Sequence, residues 1–311
     1  MRIGIGLWCL QSTATVPRPF TALYQELLED ARLAESVGID SLWLSEHHHY
    51  YDGYCPALLP AASAALSVTD TLRVGTGVLL LPLHEPTQLA HDAATLSERS
   101  GGRFELGMGM GYRPIEFAGR DRSIGDRVKL MNAGLDVLAA ATPAPMWVGV
   151  TSEVAARRAG RRGMGLMISG AFSKQVVDDL VAAHRQAWAD AGHPGGDEPP
   201  PVGLLRNIWL ADSEAERRQA LDWVRSSYLV YAGLGWGADD TGVDFVAEIE
   251  ASMDEVEDSA IVGSADAVAD QLGEYDADLV ICRIGYDHPP RGALQQVIER
   301  IGSELVPRMA S

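Results

Sequence analysis

Short runs of apolar residues alternate with amphipathic stretches along almost the whole of the 311-residue chain. Eight runs stand out: Arg2–Leu10, Asp40–Leu44, Leu72–Leu80, Arg103–Met108, Pro145–Val150, Gly165–Ser169, Val202–Leu210 and Leu279–Ile284. Segments that stay apolar on consecutive positions predict strands buried on both faces, as in a parallel sheet covered by helices. The stretches between them predict those helices. In one, Leu23, Leu27, Leu28, Ala31, Leu33 and Ala34 form an apolar face with Glu26, Glu29 and Asp30 opposite, and Gly38 supplies a left-handed residue to end it. Eight β-α units favour a closed (β/α)8 TIM barrel over an open sheet. Arg185 to Pro201, rich in glycine and ending in three prolines, predicts a surface loop, and a second insertion is expected between Tyr228 and Ser259. No linker-like composition divides the chain, so one domain over 1–311 is expected.

Composition narrows the partners. An apolar fraction of 47% supports an ordinary globular core, while a formal charge of −18 would repel nucleic acid and anionic lipid. The apolar N-terminus is too short for a signal sequence or a membrane span. Cys9, Cys55 and Cys282 lie far apart without a C-x-x-C pair, which suggests neither a disulfide framework nor a zinc cluster and fits a reducing cytoplasm. Helices around Ala61–Val68 and Gln88–Leu96 are rich in small apolar residues on more than one face, from which a homodimer is expected.

The densest chemistry is Glu46-His47-His48-His49, directly after the second run. That is the C-terminal end of a barrel strand, where (β/α)8 enzymes build their active sites. Two other readings stay open: a polar loop of solvated histidines, and a metal site using His47 and His49. The second is weaker, because neighbours on an extended segment point to opposite sides and further ligands would be needed. Gly75-Thr76-Gly77-Val78 closes the third run, either as a tight turn or as small residues beneath a helix. The spacing of Gly107-Met108-Gly109-Met110-Gly111 is not the dinucleotide fingerprint. Its glycines leave room for a flat ring, with Met108 and Met110 as soft packing partners. Thr151 and Ser152, with the N–H groups of Val154 and Ala155, mark a helix start that either binds an anion or is an ordinary cap. Trp8, His48, Tyr112, Phe172 and Arg206 lie near strand ends and are candidate pocket residues; a charge such as Arg206 inside an apolar run calls for a partner.

Several of these segments together resemble one family. Gly38-Ile39-Asp40-Ser41-Leu42-Trp43-Leu44-Ser45-Glu46-His47-His48 and Leu72-Arg73-Val74-Gly75-Thr76-Gly77-Val78 are similar to the start of bacterial luciferase and its relatives. The likeness continues in Gly101-Gly102-Arg103-Phe104, Pro145-Met146-Trp147-Val148-Gly149 and Val262-Gly263-Ser264. It implies a luciferase-like barrel that uses reduced FMN and oxygen to oxidise an apolar small molecule, the flavin coming reduced from a separate reductase. It also implies His47 as acid/base with Glu46 in the catalytic set, and a cis peptide at Gly77-Val78 under the flavin ring, with Met108 and Gly109 nearby. The phosphate would lie on Thr151, Ser152, Val154 and Ala155, with Arg127 as its cation. Gly109 and Met110 replace luciferase's cysteine and arginine, so one phosphate-binding cation is missing, and Glu153 departs from luciferase beside Ser152. Two relatives' activities remain as alternatives: deazaflavin-dependent hydride transfer, and flavin binding without turnover.

Overall fold

A computed structural model describes residues 1–8, 10–12, 17–50, 53–169, 172–193, 198–233, 247, 250–284 and 289–310. Eight parallel strands form a closed barrel: β1 (Arg2–Trp8), β2 (Ser41–Leu44), β3 (Arg73–Thr76), β4 (Phe104–Gly109), β5 (Met146–Val150), β6 (Gly165–Ile168), β7 (Val202–Arg206) and β8 (Leu279–Arg283). Each pairs with its neighbours in sequence order. The ring is closed by the pairing of β8 with β1, in the register Ile5↔Cys282, and is continuous through β3 and β4 in the register Val74↔Phe104. Seven of the eight predicted runs contain one of these strands, and Arg103–Met108 covers all of β4 but Gly109.

Two runs divide where pairing partners change, which hydrophobicity alone does not encode. Leu72–Leu80 ends as β3 at Thr76, passes through a cis Gly77-Val78 peptide and resumes as the two-residue strand Leu79–Leu80, which pairs with Met108 and Gly109. Val202–Leu210 leaves the barrel after Arg206, and Ile208–Leu210 pairs instead with Ile261–Gly263.

Side chains alternate between the two faces of each strand, and this parity organises the protein. Even-numbered positions, such as Leu42, Leu44, Val74, Leu106, Met108, Val148, Leu166 and Val280, belong to the outer core beneath the helices. In β2 to β8 the odd-numbered positions turn inward, where Trp43, Trp147, Met167, Leu205, Leu279 and Ile281 form an inner plug, whereas in β1 the parity is reversed and Ile3 and Ile5 pack in the outer core. Trp43 and Trp147 meet edge to face at 6.1 Å, and Gly75 is needed because a Cβ there would lie 2.4 Å from the Trp43 ring. Below the tryptophans, buried Glu105 accepts from Trp147 Nε1 at 2.7 Å and Arg2 at 2.9 Å, which seals the N-terminal end of the barrel. Space for chemistry is left at the C-terminal end.

The helices correct some expectations. In α1 (Phe20–Ser36) the predicted face is buried at Leu23, Leu27, Ala31 and Ala34, and Gly38 has φ +81°. Asp30, expected on the polar face, is buried too, because Arg291 at the start of the helix Arg291–Arg300 covers it with an ion pair. The loop expected from Arg185 begins only at Gly192: Lys174–Ala191 is one helix, ended by Gly192 at φ +61°. Likewise the helix Glu214–Gly233 runs past Tyr228, shortening the second insertion. In α2 (Leu58–Ser67) and α3 (Pro86–Arg99) the apolar residues face inward, and the large exposed hydrophobics lie on other elements. Among the described residues no helix is long and apolar enough to cross a membrane, and no group of His, Cys, Asp or Glu is arranged to hold a metal ion.

Candidate active site

β2 ends at Leu44, and the chain continues outward through Ser45, Glu46, His47 and His48, all buried; His49 is exposed, with φ +58°. Alternation again sorts them. Ser45 and His47 continue the inward row of Trp43, and both line a cavity of about 600 Å³ at this end of the barrel.

Glu46 anchors the loop. One oxygen accepts from His48 Nε2 at 2.7 Å and His84 Nε2 at 2.9 Å, and the other accepts from the Leu80 N–H at 2.6 Å. Burial opposes the charged form, but the hydrogen bonds from His48 and His84, the nearby His84 charge and the Leu80 amide outweigh it and hold the carboxyl at about 2. With both oxygens engaged, Glu46 is a positioning residue, although it borders the cavity.

His47 is held from two sides. The turn after β4 brings in a short helix, α4 (Pro114–Ala118), whose Glu116 is fully buried. Glu116 Oε1 accepts from the His48 N–H at 2.8 Å and lies 2.9 Å from His47 Nδ1. An ionised Glu116 accepts from an Nδ1–H, and in the neutral imidazole that tautomer leaves Nε2 as acceptor. Nε2 lies 3.2 Å from the Tyr112 hydroxyl. Tyr54 meets the ring edge-on at 4.7 Å, and Arg113 donates to the His48 carbonyl at 2.8 Å while lying over Tyr50. These contacts replace the solvated-loop reading for His47 and His48.

The next wall is made of inward-facing glycines. Gly77, Gly109 and Gly149 border the cavity with Val78. A Cβ on Gly109 would fall 2.4 Å from Val78 Cγ2, and one on Gly149 3.0 Å from Val78 Cγ1, so their missing side chains first make room for Val78. The resulting surface, made of glycine backbone and the Val78 side chain, is apolar. Beyond it, Thr151, Ser152 and Ala155 line the cavity at the start of α5 (Glu153–Gly160). Ser152 occupies the cap position yet its side chain makes no capping hydrogen bond.

Of the remaining expected site residues, Tyr112 and Phe172 line the cavity, and His48 lies behind it on Glu46. Four others sit off its wall. Met108 is an even position and packs outward in the core beneath the helices. Arg206 is likewise outward: register pairs it with Cys282, and it donates to the Phe172 carbonyl at 3.0 Å and faces Tyr275. Arg127 donates to the Ile124 carbonyl at 3.1 Å, closing the turn before its own helix. The Val154 side chain is exposed on α5, while its backbone N–H, the group expected to meet the phosphate, stands in the first turn after Ser152. Trp8 ends β1, and its side chain lies outside the described residues, as does Cys9.

Four contributors were not read from the sequence: Glu116, His84, Tyr228 and Arg283. Glu116 had a usable signal, a carboxylate two residues after Pro114 in a proline-started turn at a barrel strand's end. Arg283 had parity, since it continues the inward row of Leu279 and Ile281; the arginine chosen, Arg206, follows inward Leu205 and so points out.

Comparison with known proteins bears on the family and the fold. The 4-hydroxyprotoasukamycin monooxygenase of Streptomyces nodosus subsp. asukaensis is 28% identical over 87% of this chain and 81% of its own. The oxygenase component of the flavin-dependent trigonelline monooxygenase of Acinetobacter baylyi is 23% identical over 85% and 82% respectively. Among solved structures, the oxygenating constituent of 3,6-diketocamphane monooxygenase from Pseudomonas putida, in complex with FMN, superposes with a TM-score of 0.78 at 19% identity, covering 98% of both chains. The profile of the luciferase-like monooxygenases matches residues 1–280, and with the barrel closed and its strand-end histidine in place, the chain belongs to the luciferase-like monooxygenase family.

Proposed function

We propose that this protein is the oxygenase of a two-component system, which takes reduced FMN from a separate flavin reductase and uses O2 to oxidise an apolar small molecule beside His47. The observation that carries the reading is a buried histidine, oriented by Glu116, on the same cavity as the Gly77, Gly109 and Gly149 wall and the Thr151-Ser152 helix start. The residues fit the cofactor. A flat ring would lie against Val78 and the glycines, and its phosphate would meet the Thr151 and Ser152 hydroxyls and the first N–H groups of α5. That Ser152 makes no cap bond leaves its hydroxyl for such a contact. Bound reduced flavin supplies the electrons that activate oxygen.

The chain's residues do the rest. His47 Nε2 takes a proton from the reacting substrate and returns it, Glu116 steadies the ring while it is charged, and Tyr112 aligns it. The apolar walls keep water away from the reacting atoms. The sequence lacks a nicotinamide fingerprint, which is why the reducing equivalents are assigned to another protein.

The test is product formation from a panel of apolar substrates with the reductase, FMN, NADH and oxygen each omitted in turn. Product should require all four. Turnover with reduced deazaflavin under nitrogen would replace this reading by hydride transfer. In parallel titrations, Ser152→Ala should weaken reduced-FMN binding by about 0.5–1.5 kcal/mol, as for one neutral hydrogen bond; unchanged affinity would move the phosphate elsewhere.

The same proposal includes a homodimer, placed on the outer surface of α2 and α3, where Ser63, Ser67 and Ser100 leave a shallow groove beside Leu66 and Leu96. Light scattering at the monomer mass across all concentrations would refute it.

A further inference from the structure

We propose that Arg283 is the substrate-recognising cation of this cavity, and that the molecule oxidised is an apolar compound carrying an oxyanion, as in a carboxylate, enolate or phenolate. This rests on the oxygenase reading above and narrows its substrate class.

The case begins with the inward row of β8. Leu279 and Ile281 are fully buried in the inner plug, and Arg283, the next inward position, lines the cavity. An apolar row therefore ends in a guanidinium at the level where substrate would lie. Its orientation is set by Tyr228: Arg283 Nη1 donates to the Tyr228 hydroxyl at 3.2 Å, and the guanidinium stands 5.2 Å from that ring's centre. Tyr228 is itself buried and lines the cavity.

The other charged groups bordering the cavity are placed for different work. Glu46 has both oxygens engaged, and Glu255 is exposed. Among the described lining residues Arg283 is the one permanent cation. Met167 on β6, Leu205 on β7 and Phe172 give the same cavity an apolar lining. An apolar body with one anionic oxygen matches that combination. A planar guanidinium presents paired N–H donors to such oxygens, and in a poorly hydrated cavity the attraction is stronger than at a surface. The chain's overall charge of −18 opposes anions at long range, so selectivity for one has to come from a local contact of this kind.

The contact is read by binding, with 2-naphthoate and its near-isosteric neutral amide, 2-naphthamide, as probes in calorimetric titrations. Wild-type protein should bind naphthoate at least about tenfold more tightly, the range of one charge-assisted hydrogen bond. The ratio should fall to within about twofold in Arg283→Met, remain several-fold in Arg283→Lys, and be unchanged in His49→Ala, at an exposed position. Equal affinities in the wild type, or an undiminished ratio in Arg283→Met, would overturn the proposal. Should Arg283→Met not fold, phenylglyoxal labelling of the wild type reads the same contact: naphthoate, but not the amide, must protect Arg283, and absence of protection overturns it. Reduced FMN is titrated into the same samples. Flavin that fails to bind while the ratio persists removes the oxygenase reading alone; flavin that binds without any ratio removes the anion site alone.

Discussion

His47→Ala is expected to lower product formation by about 10²–10⁴, with reduced-flavin binding changed by no more than a few-fold, the range for loss of a general acid/base. The geometry makes this specific to one of three adjacent histidines. His47 continues the inward row of β2, reaches the cavity and has its Nδ1 held by Glu116. His48 serves Glu46 and donates its backbone N–H to Glu116, and His49 is exposed. His49→Ala should therefore stay close to wild type. Rapid mixing of reduced-flavin enzyme with oxygen and substrate, scored as product per oxygen consumed, separates the cases. Wild-type yield from His47→Ala, or greater damage from His49→Ala, would end this assignment.

The second large effect concerns stability. Glu46→Leu removes the acceptor of His48, His84 and the Leu80 N–H together, and breaking a buried, hydrogen-bonded charge cluster in this way costs about 3–5 kcal/mol. Glu46→Gln keeps the shape and isolates the charge. In the folded protein the carboxyl is held at about 2, below its ordinary 4.5, so its stabilisation is fully present above pH 4.5 and is lost as pH falls toward 2. The amount is on the order of 3 kcal/mol for a group this deeply buried. Urea unfolding should show Glu46→Gln well below wild type at pH 6, with the gap narrowing between pH 4.5 and 2. A gap of constant size would mean that the ionised form of Glu46 is not what holds the loop.

Much of this was legible without coordinates. Consecutive apolar positions can be satisfied only by strands covered on both faces, and eight of them separated by amphipathic stretches leave a barrel as the economical arrangement. A strand end followed by glutamate and histidines then localises the chemistry, because the C-terminal ends of barrel strands are where side chains from distant segments converge. Those inferences need only local pattern, and local pattern is what a linear chain carries. The cis Gly77-Val78 peptide, expected from family resemblance, is also present.

Tertiary structure decided which neighbours those residues have. The role of Glu116 depends on a helix 69 residues from His47 folding back over it; nothing in the spacing of Glu46 to His49 names that partner. Whether Ser152 caps its helix, and whether Arg127 faces the cavity or its own preceding turn, depends on rotamers and loop paths that the same sequence could satisfy in more than one way. The choice between Arg206 and Arg283 lay in between. Both end apolar strands, and only the inward packing of Leu205, Leu279 and Ile281 shows which arginine points into the barrel. Periodicity along a strand records that successive side chains oppose one another; which side becomes the interior is settled only when the sheet closes.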